Sequence, residues 1–120
     1  MKETTNRPKS VEDARLTTGR PEVDFSNVPE DLRSVFEGMY DAIVITEAIN
    51  NGYKPNWDDD SRKWYPWFDM SPSSFRFGAA SYDYSSADAG GGSRLKYRDE
   101  ADARFSGKQF KEVWQKVQLG

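Results

Sequence analysis

The chain has 120 residues, of which 31% are charged and 36% are hydrophobic, and its formal net charge is −3. This length supports one domain at most, and the acidic balance excludes a general basic field that would draw the molecule onto nucleic acid or anionic lipid. The sequence contains neither cysteine nor histidine, which excludes disulfides, a thiol nucleophile, a Ser-His-Asp triad and the usual zinc ligands. No apolar run approaches the ~18 residues of a membrane span. We therefore expect a cytoplasmic protein without a membrane partner.

Residues 1–27 are dominated by Thr, Asn, Pro and charged side chains. The sizeable apolar side chains in this segment, apart from Met1, are Val11, Leu16, Val23 and Phe25. Such a composition buries too little surface to offset the chain entropy lost on ordering. The sequence predicts a disordered polar tail over residues 1–27 and a single domain over residues 28–120.

Residues 28–52 have the pattern of a long helix. Pro29 suits the first helical turn, and the acidic residues that follow it favour the positive end of the helix dipole. Apolar residues recur at three- and four-residue spacing from Leu32 to Ile43, and Asn51-Gly52 is a typical C-terminal stop. Three consecutive apolar residues at 43–45 predict that the C-terminal half is covered on two sides.

After this helix the pattern changes to alternation in the stretch RKWYPWFDM at 62–70. Trp64, Pro66, Phe68 and Met70 alternate with other residues, which predicts a strand, and its proline indicates an edge position or a bulge. Residues 75–77 predict a second short strand, which 82–84 extend or follow. Residues 94–98 predict a third strand, after a flexible connection SSADAGGGS at 85–93.

The C-terminal segment is predicted to be helical. Asp99 can cap a short helix that runs to about Phe105, and Ser106 with Gln109 has the spacing of a capping box for a last helix. The predicted fold class is therefore α+β, with a small antiparallel sheet of about three strands packed on the long N-terminal helix and on C-terminal helices.

Three blocks of the sequence carry a family resemblance: VFEGMYDAIVITEAINNGYKPNW, RKWYPWFDM and GSRLKYRDEADARFSGKQF. Their order and spacing resemble a group of small uncharacterised proteins encoded by phages and prophages of Bacteroidetes, over about residues 28–118. The resemblance implies a phage or mobile-element origin. It implies no activity and no catalytic residue.

The aromatic cluster in RKWYPWFDM leaves a set of candidate binding residues. One face of the predicted strand belongs to the core, while the other face combines aromatic and basic side chains. The candidate residues of this second face are Tyr65, Trp67, Arg76, Arg94, Lys96 and Arg98. Three interpretations stay open: a second core layer, a stacking platform for single-stranded nucleic acid, or a partner site.

Other motifs predict no chemistry. The acidic run 58–60 lacks the glycine and the distal glutamate of a calcium loop, and the glycines at 90–92 lack the lysine of a phosphate-binding loop. Glu37 and Asp41, four residues apart on the long helix, are expected to be solvated rather than an acid–base pair. The sequence therefore predicts no catalytic, cofactor-binding or metal-binding residue and no cofactor.

These observations favour a non-enzymatic accessory domain that works by binding. The expected partner is a host or virion protein, and the expected location is the host cytoplasm or the virion. Single-stranded nucleic acid, bound through the aromatic and basic sheet face, is the alternative partner.

Overall fold

A computed structural model describes residues 7–70, 75–86 and 92–120. In this part of the chain the fold is α+β, as predicted, with four α-helices and a two-stranded antiparallel sheet. The elements in chain order are α1 Val11–Thr18, α2 Glu30–Asn50, β1 Lys63–Asp69, β2 Arg76–Asp83, a 3₁₀ helix Ser93–Leu95, α3 Glu100–Gln109 and α4 Lys111–Leu119.

The predicted long helix is confirmed as α2, which contacts every other helix of the described chain. It ends where the sequence predicts, because Asn51 takes a left-handed conformation with φ of 48° and its N–H donates to the Glu47 carbonyl. Val44 and Ile45 are both fully buried although they are neighbours on the helix. The C-terminal half of α2 is thus covered on two sides, as expected.

One side of α2 is covered by α1, which lies in the segment predicted to be disordered. This prediction is therefore wrong for residues 11–18. Ser10 caps the helix by accepting a hydrogen bond from the Asp13 N–H at 3.0 Å, and Gly19 ends it with φ of 75°. Ala14 is fully buried. A small side chain suffices here because α1 lies directly against the apolar side of α2.

Ion pairs and hydrogen bonds tie the N-terminal segment to distant parts of the chain. Arg7 lies 2.9 Å from the buried Asp102 carboxylate, and the Gln109 side chain donates to the Lys9 carbonyl at 2.9 Å. Arg20 makes two hydrogen bonds to the Glu47 carboxylate, at 2.8 and 2.7 Å. The polar side chains that suggested disorder are therefore partners of the folded domain. The structure does not describe residues 1–6 of the predicted tail.

The sheet pairs β1 with β2 in antiparallel register, with Trp64 opposite Tyr82 and Phe68 opposite Phe77. The register shifts between Trp67 and Phe68 because Gly78 is the extra residue on β2, which makes a β-bulge. The face that carries Phe68 and Phe77 packs on the helices, and the Phe68 ring lies 6.1 Å from that of Trp114.

The predicted third strand over 94–98 is wrong. Ser93–Leu95 form a 3₁₀ helix, and only Tyr97 pairs with β1, through two backbone hydrogen bonds with Trp64 at 3.0 and 2.7 Å. Gly92, which precedes the 3₁₀ helix, has φ of 75° and ψ of −175°, a conformation that favours glycine. Of the predicted flexible connection at 85–93, residues 87–91 lie outside the described chain.

The predicted capping box at Ser106 and Gln109 is also wrong, because α3 continues to Gln109 and meets α4 at Phe110. Asp99 does cap α3, accepting from the Asp102 N–H at 2.8 Å. Ser106 is fully buried within α3. Its hydroxyl accepts from the Trp114 indole N–H at 2.9 Å and therefore stabilises the core instead of a helix start.

Candidate functional site

Trp67 is the exposed member of the aromatic cluster. Successive residues of β1 face opposite sides, so Pro66 and Phe68 are buried while the Trp67 side chain is 56% exposed. Tyr65 shares its face, with the two ring centroids 6.5 Å apart. The second-core-layer interpretation therefore does not hold for Trp67.

A cavity of about 240 Å³ opens next to Trp67. Its lining comes from β1, from the end of β2, from the 3₁₀ segment and from α4: Tyr65, Pro66, Trp67, Phe68, Met70, Asp83, Leu95, Lys96, Trp114 and Gln118. Met70 follows the strand and is 46% exposed. We call the cavity and its lining residues, which include the exposed Trp67 and Met70, the aromatic cleft.

Lys96 gives the cleft one charged wall. Its side chain is only 4% exposed, and its ammonium lies 3.4 Å from Asp83 Oδ2 and 4.3 Å from the centre of the Tyr65 ring. A buried ammonium needs such partners, because an unpaired charge away from water is strongly unfavourable. Lys96 thus holds the strand end and the Tyr65 ring together, and its charge is balanced within the cleft.

The other predicted basic residues do not enter the cleft. Arg76 lies on the Trp67 side of the sheet but pairs with Asp69 at 2.9 Å. Arg94 lies 3.5 Å from the Glu47 carboxylate, near the C-terminal end of α2.

Arg98 likewise donates to the Asn50 carbonyl at 3.1 Å and lies over the Tyr53 ring. Of the six predicted residues, the structure brings Tyr65, Trp67 and Lys96 together. It places Arg76 nearby and the remaining two elsewhere.

Sequence reasoning missed several residues of the cleft, above all Asp83 and Trp114. Asp83 lies opposite Lys63 in a strand register that shifts at the Gly78 bulge, and a bulge of this kind leaves no clear alternation signal. Trp114 is only 3% exposed and belongs to the core, yet it also lines the cavity. Met70 could have been predicted to belong to the cleft, because it directly follows the end of the strand that carries Trp67.

The acidic residues have structural partners. Asp59 accepts hydrogen bonds from the Ser61 N–H at 2.9 Å and from the buried Lys63 ammonium at 3.1 Å. The Ser61 bonds are the main cause that lowers the pKa of Asp59 to about 2, and Lys63 adds to it. Asp41 is half-buried, and burial raises the pKa of its carboxyl, although Arg15 at 4.0 Å opposes this shift. Within the described residues, no group of three or more acidic side chains is placed to hold a metal ion.

No helix in the described part of the chain is both long and apolar enough to cross a membrane. No family model, curated protein or solved structure matches the chain significantly.

Proposed function

We propose that the chain is a non-enzymatic binding domain that recognises a protein partner through the aromatic cleft. The observation that carries this proposal is the exposure of Trp67 and Met70 beside a cavity, on a strand whose neighbouring residues Pro66 and Phe68 are buried. The aromatic side chain is thus held on a rigid support while much of its surface remains in water.

This combination suits a protein interface. Tryptophan is enriched among residues that dominate interface energies, especially where its ring contacts a well-packed pocket. Methionine adapts its shape to different apolar partners because its side chain is unbranched and polarisable. Binding would remove both side chains from water without first requiring the strand to become ordered, which lowers the entropic cost of association.

The charges around the cleft favour protein over single-stranded nucleic acid as the partner. A phosphate backbone is bound by cations that are free to replace counterions. Arg76, Arg94 and Lys96 each already have a carboxylate within 4 Å, at 2.9, 3.5 and 3.4 Å. Nucleic acid therefore remains the weaker alternative, supported by the neighbouring Tyr65 and Trp67 rings.

The resemblance to proteins of Bacteroidetes phages and prophages supports a host or virion protein as the partner. On this proposal the chain is a phage or prophage accessory protein, and it works in the host cytoplasm or on the virion. Catalysis has no part in it, since the cleft contains a lysine and a carboxylate that neutralise each other rather than a reactive set.

Site-specific photo-crosslinking tests the proposal. The photoreactive residue p-benzoylphenylalanine replaces Trp67 in one variant and Leu16, which is 84% exposed on α1, in a matched control. We expect one defined protein adduct from host extract or virions with the Trp67 variant and none with the Leu16 variant. The adduct should disappear when Met70→Asp is added and the domain remains folded.

Equal labelling at both positions, or an adduct that is insensitive to Met70→Asp, would contradict a specific cleft.

A parallel titration follows the anisotropy of labelled single-stranded DNA and RNA at low and moderate salt. Binding that weakens steeply with salt and is lost in Trp67→Ala would establish the nucleic-acid alternative instead.

A further inference from the structure

The edge of β1 that faces away from β2 is paired at only one position in the described chain. Trp64 exchanges two backbone hydrogen bonds with Tyr97 across this edge. Alternate residues of a strand direct their N–H and C=O groups to the same edge. The backbone groups of Pro66 and Phe68 therefore point to the side on which Tyr97 lies.

The chain of Tyr97 does not continue this pairing. In an antiparallel ladder through Trp64 and Tyr97, residue 95 would face Pro66 and residue 93 would face Phe68. Residues 93–95 instead form the 3₁₀ helix, in which Leu95 N–H donates to the Gly92 carbonyl at 3.4 Å. Among the described residues, none outside the sheet makes a backbone hydrogen bond to Phe68.

Proline is well placed on this edge. Pro66 has no N–H, so a partner strand at this position needs only to donate to its carbonyl. Phe68 offers both a donor and an acceptor two residues further on. The edge thus presents two acceptors and one donor in a line that extends the existing pairing with Tyr97.

The cavity lies along the same edge. Pro66 and Phe68 line it from the strand, and Leu95 and Trp114 also belong to its lining. Its volume of about 240 Å³ falls just below the roughly 300–1,000 Å³ of pockets for small-molecule ligands. A single large apolar side chain, delivered by a main chain on the edge, is the occupant that matches both features.

We propose that the partner adds an extended peptide segment to the edge of β1 on which Tyr97 lies, with its backbone hydrogen-bonded to Pro66 and Phe68 and one large apolar side chain in the cavity. The segment continues the line of pairing that Tyr97 begins, as in other complexes in which a peptide joins a sheet. This inference depends on the proposed function, because it specifies how the aromatic cleft binds a protein.

The test begins with a phage-displayed library of random linear peptides selected on the wild-type protein and counter-selected on Trp67→Ala. A selected peptide is then synthesised with a single backbone N-methyl group at each position in turn. N-methylation removes a donor and blocks close approach, so we expect about tenfold weaker binding at alternate positions and little change between them. Hydrogen exchange of the Phe68 amide should slow about tenfold in the complex, while that of Asp69, which faces β2, stays unchanged.

The outcomes separate the two proposals. A peptide that requires Trp67 but tolerates N-methylation throughout, with no change in Phe68 exchange, would overturn strand addition and leave the proposed function in place. Selection of no Trp67-dependent peptide would count against both, because an extended peptide is the simplest ligand that each of them allows.

Discussion

The Tyr97 hydroxyl donates a hydrogen bond to Ser106 Oγ over 2.6 Å, in the centre of the fold. Thr46 Oγ1 lies 2.9 Å from the same hydroxyl, so this one group joins α2, α3 and the residue that pairs with β1. Burial raises the pKa of Tyr97, since a buried phenolate would lack water. A polar cluster of this kind is stabilising only while each member keeps its partners.

Tyr97→Phe should therefore lower the free energy of unfolding by about 1–3 kcal/mol, because Ser106 and Thr46 lose a buried partner. Urea denaturation of the variant and the wild type measures this difference. Tyr84→Phe is the control, since Tyr84 is exposed beyond the end of β2 and should change stability little. Equal effects of the two substitutions would show that the Tyr97 hydroxyl does not stabilise the core.

Trp67→Ala should change the free energy of unfolding by less than about 1 kcal/mol, because the side chain is largely in water. Phe68→Ala, one residue further on, should cost about 3–5 kcal/mol, since the Phe68 ring packs between Phe75 and Trp114. Chemical denaturation with the same protein preparations compares the two. A large loss of stability in Trp67→Ala would give the whole aromatic cluster a structural role and remove the basis of the cleft.

Gly107→Ala should destabilise the protein by about 1–3 kcal/mol despite the better helix propensity of alanine. A Cβ at Gly107 would overlap the Phe77 ring and lie 3.0 Å from Pro66 Cβ, where α3 crosses the sheet. Gly78→Ala is the matched control, because the nearest atom to its Cβ would be the Trp67 carbonyl oxygen at 3.4 Å. Thermal unfolding of both variants decides whether close approach is the reason for glycine at 107.

Ala14→Asp should lower stability by more than about 2 kcal/mol, since it places a charge in the fully buried contact between α1 and α2. Leu16→Asp makes the same charge at an 84% exposed position two residues away on the same helix and should have little effect. If residues 11–18 were disordered, both substitutions would be neutral. Unfolding curves recorded side by side distinguish these cases.

The Asp59 carboxyl should make the stability of the fold depend on pH. Its folded-state pKa of about 2 lies below the roughly 3.9 of an unfolded aspartate, so its carboxylate stabilises the fold. This contribution is fully present above about pH 4 and is lost as the pH falls towards 2. Carbon-detected NMR titration should place the Asp59 transition near pH 2 and move it upward in Ser61→Ala. Substitution of the exposed Ser86 by alanine should leave it unchanged.

Much of the fold follows from local patterns. The stripe of α2, its Asn51 stop and the Asp99 cap all depend on neighbours within four residues, and the structure contains each of them. The sequence also carried signals for α1, namely Ser10 with Asp13 at its start and Gly19 at its end. The polar composition of residues 1–27 nevertheless favours disorder. The apolar residues all around the end of α2, in contrast, require a second element to cover them.

Other features depend on contacts that no local pattern encodes. Alternation over 94–98 fits a strand, but residues 93–95 form a 3₁₀ helix and, in the described chain, only Tyr97 of this segment pairs with β1. Ser106 has the spacing of a helix cap, yet its partners are Tyr97 and Trp114. In the candidate site, the alternation of β1 separated Trp67 from the core face. The Lys96–Asp83 pair joins the end of β2 to the segment after the 3₁₀ helix, and no local pattern encodes this contact.

The contacts of the N-terminal segment also affect how fast the domain can fold. Arg7 meets Asp102, and Lys9 meets Gln109, across 95 and 100 residues of chain. Contacts between residues so far apart in sequence require a long loop to close, and its entropic cost slows folding. A domain rich in local helical contacts therefore also depends on a few long-range contacts that form against this cost.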